Sequence, residues 1–141
     1  MSEFKAFNPY LRDGGNPSAP GATPPASPAD AVAYGGEFKN NSGHTEGVDA
    51  RVHQAGFTTT FPPNTRMVSG TFTTTDFTSR RENGNAVGPT YAAVTARSYH
   101  TGGVNSALMD GSVRFFRDAI SQETWRALGT RAGGEVVGDD Y

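Results

Sequence analysis

Short runs of alternating apolar and polar residues occupy the middle of the chain. They lie at 57–61, 71–78 and 91–99, and they are rich in threonine, alanine and aromatic residues. Alternation over about four to eight residues is typical of strands with one buried face. The pattern therefore predicts a mainly β fold with an antiparallel sheet.

The sharpest local signal is a pair of strand-like runs, 104–109 and 112–116, separated by Asp110 and Gly111. Aspartate followed by glycine between two such runs is typical of a two-residue hairpin loop. In a type I′ turn both loop residues need positive φ, which aspartate and glycine tolerate. The sequence therefore predicts an Asp-Gly hairpin with a type I′ turn.

One short C-terminal helix is predicted at about 121–128. Ser121 is a suitable N-cap, and Gly129 is a suitable C-terminal stop. Ile120 and Trp125 have the spacing of a hydrophobic staple across the start of a helix. The helix should therefore pack its tryptophan against the residue that precedes its cap.

Glycine and proline interrupt the rest of the chain, which contains 18 glycines and nine prolines. Residues 13–35 are so rich in both that we predict a long loop or extended arm there. A second loop is predicted at 83–90, and a final edge strand at 135–137. We expect a single region, 1–141, in which residues 43–141 form the β-rich portion.

Charge and composition exclude several classes of protein. The formal net charge is -2 with no basic stripe, so nucleic-acid binding has no electrostatic support. The chain has no cysteine, which excludes disulfides and thiolate metal sites. No run approaches the roughly 20 apolar residues of a membrane-spanning helix, and 1–12 lacks the apolar core of a signal peptide. We expect no membrane contact by this chain itself.

Residues 97–105 and their continuation at 109–115 resemble a pilin-like family of unknown function that is abundant in planctomycete-type bacteria. The family's C-terminal signature is a histidine, nine residues, then Asp-Gly, and His100, Asp110 and Gly111 have that spacing. Further matches follow the family's order along the chain, at 10–17, 43–46, 52–54, 56–58, 61–64 and 124–137. The resemblance therefore extends through nearly the whole sequence.

The resemblance implies a function as well as a fold. Full-length members are α+β and begin like type IV pilins, with a basic leader, a prepilin-peptidase site and a long hydrophobic helix. This chain resembles only the C-terminal part, so we expect the globular head of a pilin-like or pseudopilin-like protein, with a truncated N-terminus. An extracytoplasmic location in the cell envelope or at its surface follows from the resemblance, as in type II secretion-like systems. Its partners would be other pilin-like subunits or envelope proteins, and self-association is also expected.

The three histidines are the first candidates for chemistry. His44, His53 and His100 with Asp49 and Asp110 offer the imidazoles and carboxylates of a transition-metal site. However, the spacing is not that of a helical zinc motif, and His44 and His53 lie in a loop-rich stretch. We favour hydrogen-bonded structural histidines, with no metal as the prediction and His44, His53 and Asp49 as the candidates if one binds.

Hydrolytic catalysis is the next alternative. Ser98, His100 and Asp110 have the residue types of a triad, but the chain has no nucleophile elbow and no glycine-rich helix start for an oxyanion hole. Asp110 is better explained by the turn. We predict no catalytic residues and no enzyme activity, and we expect the His100 ring to bond a backbone carbonyl or the Asp110 turn.

Calcium and glycans are the remaining ligands to consider. Pseudopilin heads often hold calcium in a C-terminal loop, and the available aspartates here are Asp13, Asp49, Asp76, Asp110 and Asp118. They fit no calcium-loop spacing, so we favour surface and turn aspartates and predict no cofactor. The main rival function is a glycan- or solute-binding module that uses Trp125, Tyr91, Tyr99 and a threonine-rich face.

Overall fold

The computed structural model describes residues 2–3, 5, 8–12, 24–33, 36–78, 92–130 and 133–136. Within them the chain forms five strands and three short helices, so the mainly β prediction is confirmed. In chain order the elements are β1 (Asn8–Arg12), α1 (Pro28–Ala33), β2 (Glu37–Gly43), α2 (Val52–Ala55), β3 (Asp76–Thr78), β4 (Gly103–Ala107), β5 (Val113–Arg117) and α3 (Gln122–Leu128).

Three strands form one sheet in the order β2-β1-β3. Strands β1 and β2 are antiparallel, with Tyr10 opposite Lys39. Strands β1 and β3 are parallel, with Tyr10 opposite Asp76. The antiparallel pairing of β1 and β2 agrees with the prediction, and β3 adds one parallel pair, which the long connection between β1 and β3 allows.

Strands β4 and β5 form the predicted hairpin, with Val104 opposite Phe116. The type I′ turn is wrong, because Gly111 has a φ of 83° whereas Asp110 is not among the residues of positive φ. The Leu108 N–H donates to the Ser112 carbonyl at 2.8 Å, so the loop has three residues. A three-residue loop that ends on a left-handed glycine still matches the twist of the strands.

Helix α3 is confirmed at the predicted place. The Thr124 N–H donates to the Ser121 side chain at 3.1 Å, and Gly129 caps the other end. Ile120 and Trp125 are both buried, and Trp125 meets Phe116 edge-on with ring centroids 5.5 Å apart. The helix therefore closes the apolar side of the hairpin.

The other runs predicted as strands are mostly irregular. Segments 57–61 and 92–99 contribute isolated bridges, such as Thr58 to Thr95, and 71–78 forms a strand only from Asp76. Threonine side chains supply part of the hydrogen bonding between these segments. The Thr60 hydroxyl, for example, donates to the Ala92 carbonyl at 2.8 Å. The side-chain bonds explain why β-prone residues do not extend into regular strands here.

One loop prediction and one strand prediction also need correction. The stretch 13–35 contains α1, so it is not a loop throughout, and its residues 13–23 lie outside the described residues. Residues 133–136 have no regular structure, so the edge strand expected from residue 135 is not observed in its described part. The predicted loop at 83–90 also lies outside the described residues.

Segment 92–98 joins two apolar cores and is buried from residue 93 onward. The first core packs around the three-stranded sheet and contains Leu11, Ala31, Phe61, Met67, Phe77 and Ala93. The second packs between the hairpin and α3 and contains Ala96, Val104, Phe116, Ile120 and Trp125. Any polar group on this segment is therefore placed in the interior of the molecule.

Candidate functional site

Two opposite charges are buried at the junction of the two cores. Asp76 begins β3, Arg97 lies on segment 92–98, and each side chain is 2% exposed. The Arg97 Nη2 donates to the Asp76 Oδ1 at 2.9 Å. A buried charge is retained only when it is paired and hydrogen-bonded, so the two residues form one unit.

The buried pair is completed by a second group on segment 92–98 and by groups from two further places in the chain. The Thr95 N–H donates to the Asp76 Oδ1 at 3.1 Å, and the Asn8 side chain of β1 donates to Oδ2 at 3.3 Å. The Arg97 Nη1 donates to the Thr65 carbonyl at 2.7 Å. Burial raises the pKa of Asp76 above its ordinary value, and the Arg97 charge opposes that rise.

This network corrects one expectation and adds a residue that the sequence did not identify. Asp76 was expected on the surface or in a turn, but it is fully enclosed. Arg97 lies in the run 91–99 that alternation predicts as a strand, and nothing in the sequence marks its pairing with a residue 21 positions earlier. A lone arginine within a run of alanine, valine and threonine is the single signal that could have identified it.

The candidate metal ligands His44 and His53 lie together and are both buried. The His44 N–H donates to the His53 carbonyl at 2.8 Å, and the His44 Nδ1 lies 3.3 Å from the Gln54 carbonyl. The ring of His53 packs on Tyr10 with centroids 4.6 Å apart. These contacts support the prediction that both histidines have a structural role.

The third metal candidate, Asp49, is engaged elsewhere. Its carboxylate accepts hydrogen bonds from the Arg51 guanidinium and from the Arg51 N–H at 3.0 Å. These bonds lower the pKa of Asp49 to about 2. Within the described part of the chain, no group of three or more His, Asp or Glu side chains is placed to hold a metal ion.

Burial of His44 leads to a prediction about pH. Desolvation lowers the pKa of His44 below its ordinary value, although Asp76 opposes the shift. The unfolded chain then takes up a proton that the folded chain excludes, so stability should fall as the pH falls below about 6.5 and should level off below the folded-state pKa. Urea unfolding between about pH 5 and 8 should show this slope.

Two variants separate this effect from other acid-sensitive groups. His44 has a φ of 56°, and asparagine tolerates that conformation without titrating. His44→Asn should therefore remove most of the slope, whereas Thr45→Asn in the same turn should keep it. An unchanged slope in His44→Asn would show that another group is responsible.

His100 is 59% exposed and anchors the N-terminal segment to the hairpin. Its Nε2 lies 2.9 Å from the Glu3 Oε1, and the Glu3 Oε2 accepts from the Asn105 N–H at 2.8 Å. The Ser2–Glu3 backbone runs antiparallel along β4, with Ser2 bridged to Ser106. The bond from Asn105 is the main cause that lowers the pKa of Glu3, and His100 adds to it.

The expected partner of His100 is therefore wrong, since its ring binds the Glu3 carboxylate. Asp110 accepts from the Ser112 N–H at 2.9 Å and from the Ser112 hydroxyl, which lowers its pKa and fixes the loop. Ser98 accepts from the backbone N–H of His100 at 2.7 Å. Ser98, His100 and Asp110 are thus bonded to different partners and do not form the hydrogen-bond chain of a triad.

The residues proposed for glycan and calcium binding are dispersed. Trp125 is 2% exposed in the second core, whereas Tyr99 is 89% exposed, and Tyr91 lies outside the described residues. The Asp118 Oδ1 accepts from the Asn64 side chain at 2.8 Å, and Asp13 lies outside the described residues. The four calcium candidates that are described therefore have separate partners: Arg51 for Asp49, Arg97 for Asp76, Ser112 for Asp110 and Asn64 for Asp118.

An open depression of about 370 Å³ lies beside the Glu3–His100 contact. Its lining includes Lys5, Ser98 and Tyr99, and the Lys5 ammonium lies 4.2 Å from the centre of the Tyr99 ring. The depression therefore places charged and polar side chains beside His100.

Comparison with known proteins assigns the family. Among the helices of the described segments, none is long and apolar enough to cross a membrane. No curated protein and no solved structure matches the chain significantly. A family model described as "Protein of unknown function (DUF1559)" matches residues 20–123, well over half of the chain, and includes the hairpin but not 10–17 or 124–137. The chain therefore belongs to the DUF1559 family.

Proposed function

We propose that this chain has a non-enzymatic role as the globular head of a pilin-like or pseudopilin-like protein of the cell envelope. The proposal depends on the structural roles of His100, Asp110 and Gly111, whose spacing resembles the signature of the pilin-like family. His100 holds the N-terminal segment against β4 through Glu3, and Asp110 with Gly111 shapes the loop at the opposite end of the hairpin. All three residues therefore hold the hairpin and its neighbouring segment in place.

A head of this kind needs stable contacts between its N-terminal segment and its β-sheet. Residues 2–3 supply one, because the Glu3 N–H donates to the Asn105 carbonyl and the Glu3 carbonyl accepts from the Arg97 N–H, each at 3.2 Å. Since Arg97 also holds Asp76, the N-terminal segment is linked to both cores. This continuity supports a subunit that transmits load between its N-terminal side and its head.

The location of the protein in cells of its source organism tests the proposal. Antibodies raised against the chain should detect it in the envelope fraction, and intact cells treated with protease should lose the signal. Short-range cross-linking should join it to other envelope subunits. A protein found wholly in the cytoplasm would contradict the proposed role.

His100→Ala gives a second test of the structural role of the signature. The exposed pair with Glu3 should contribute only about 0.5–1 kcal/mol to the free energy of unfolding. The larger expected effect is local, since hydrogen exchange at the Asn105 amide should accelerate as the N-terminal segment loosens. Thr101→Ala, at an exposed neighbouring position, should leave this exchange unchanged, and equal exchange in both variants would contradict the anchoring role.

A glycan- or solute-binding module is the second candidate, and exposed Tyr99 favours it. An exposed aromatic ring beside the polar groups of Glu3, Ser98 and His100 is a combination that can stack on a sugar and hydrogen-bond to it. A glycan array would decide. Binding that is lost in Tyr99→Ala and retained in Val136→Ala would support this candidate, and a negative array would remove it.

A further inference from the structure

The outer edge of β5 is unpaired among the described residues. The Leu108 N–H donates to Ser112 and the Asp118 N–H donates to Gly102, which fixes the alternation of the hairpin ladder. By that alternation the backbone N–H and C=O groups of Val113 and Phe115 point away from β4. These groups form a template on which another strand can pair.

The edge of β5 also exposes two large apolar side chains. The outer edge of β4 is covered by residues 2–3, and β2 carries the charged pair Glu37 and Lys39. In contrast, Val113 is 67% exposed and Phe115 is 45% exposed. An unpaired edge with exposed apolar side chains is a site for strand addition, and its flanking charges select the strand that can pair.

The charge of β5 identifies the kind of strand that would fit. Arg114 and Arg117 are both exposed on this strand. The C-terminal segment 135–141 reads Glu-Val-Val-Gly-Asp-Asp-Tyr, which combines two β-branched residues with three acidic side chains. Its composition is therefore complementary to that of the β5 edge, in both charge and hydrophobicity.

The register of such a pairing is favourable in either strand direction. If Val137 lies opposite Phe115, an antiparallel arrangement places Glu135 opposite Arg117. A parallel arrangement with the same central pair places Asp139 opposite Arg117. Directly opposite side chains share one face of the sheet, so an apolar pair and an opposite-charge pair form together.

The described part of the donor segment, residues 135–136, lies beside α3 of its own chain. In the same chain Glu135 accepts a hydrogen bond from the Thr130 hydroxyl at 3.1 Å, and Val136 lines a depression beside α3. The segment thus begins against α3 and not along β5. We propose that β5 accepts the C-terminal segment 135–141 of a second copy of this chain as an added strand, an inference that rests on the proposed subunit role and specifies its contact.

A charge-reversal exchange with the full chain tests the pairing. One variant carries Arg114→Glu and Arg117→Glu, so its β5 edge and its C-terminal segment are both acidic. The other carries Glu135→Lys, Asp139→Lys and Asp140→Lys, so both are basic. In sedimentation velocity the wild type should self-associate, and each variant alone should associate roughly tenfold or more weakly because like charges face each other.

The mixture of the two variants is the decisive measurement. Each variant then offers the strand that the other lacks, so association should return to about the wild-type level. Lys39→Glu on the edge of β2 changes a charge away from the proposed contact and should leave association unchanged. A monomeric wild type would overturn the proposal, and so would a mixture that associates no better than its components.

The result is independent of the test of the proposed function. Envelope location of the protein with a monomeric chain would remove the strand exchange alone. A cytoplasmic protein whose charge-reversed variants rescue one another would keep the strand exchange and remove the envelope role. Circular dichroism of the variants should match the wild type, since all five substituted residues lie at exposed edge positions or in the C-terminal segment.

Discussion

Arg97→Met should lower the free energy of unfolding by about 3–5 kcal/mol at neutral pH. Methionine keeps much of the volume of arginine but removes the charge and the donors, so Asp76 stays buried without its counter-ion. The Thr65 carbonyl also loses its hydrogen bond. Because a domain of this size has a total stability of only about 5–15 kcal/mol, urea unfolding should show a much lower midpoint.

The loss in Arg97→Met should depend on pH. Without the guanidinium, burial raises the pKa of Asp76 further against the weaker opposition of the Thr95 hydrogen bond and His44, so the folded variant binds a proton more readily than the unfolded chain does. Its stability should then fall as the pH rises from about 4 through the folded-state pKa. The deficit relative to the wild type should therefore be smaller at acidic pH than at neutral pH.

Two controls make this result specific. Lys39→Met removes the cation of an exposed pair with Glu37 and should cost less than about 0.5–1 kcal/mol. Adding Asp76→Leu to Arg97→Met removes the uncompensated charge and should recover part of the loss, although Asn8 and Thr95 lose an acceptor. A cost for Arg97→Met no larger than that for Lys39→Met would contradict a stabilising role of the buried pair.

The hairpin and the last helix were predictable because their signals are local. Asp110 and Gly111 stand between two alternating runs, and Ser121 precedes a helix that ends at Gly129. The physical causes, the conformational freedom of glycine and the capping hydroxyl, act within a few residues. The wrong turn type reflects the limit of that signal, because Asp-Gly also suits a three-residue loop.

The buried ion pair was not predictable for the opposite reason. Asp76 and Arg97 meet only because segment 92–98 passes between the two cores, and that path is set by the packing of residues far apart in sequence. Alternation assigns Arg97 to a strand face and says nothing about a counter-ion. The Glu3–His100 contact joins residues 97 positions apart and gives no local signal at all.

The threonine-rich runs show a third limit of structure prediction from the sequence. Thr58 and Thr60 have high β propensity, yet their hydroxyls bond to the carbonyls of Val94 and Ala92, beside the single backbone bond from the Thr58 N–H to Val94. Propensity describes a residue that fits a pleated and half-buried surface, which these residues do occupy. It does not fix whether the backbone or the side chain makes the hydrogen bond.

Gly103→Ala should be the most damaging substitution of a small residue in the hairpin. A Cβ at this position would lie 2.1 Å from the Phe116 carbonyl oxygen and 2.7 Å from the Phe115 ring. The carbonyl belongs to the facing strand and cannot move alone, so β4 and β5 must shift apart and disturb the packing of Val104 and Phe116 in the second core. We expect a loss of roughly 2–3 kcal/mol in the free energy of unfolding.

The matched control is Gly47→Ala, where a Cβ would meet nothing within 4 Å. It should change stability by less than about 0.5 kcal/mol. Adding Phe115→Ala to Gly103→Ala separates the two obstacles, because it removes the ring but leaves the Phe116 carbonyl in place. Little recovery is expected, since the backbone contact is the shorter one. A large recovery would show that the Phe115 ring is the obstacle. Strand β5 would then be able to shift relative to β4 without breaking the hairpin.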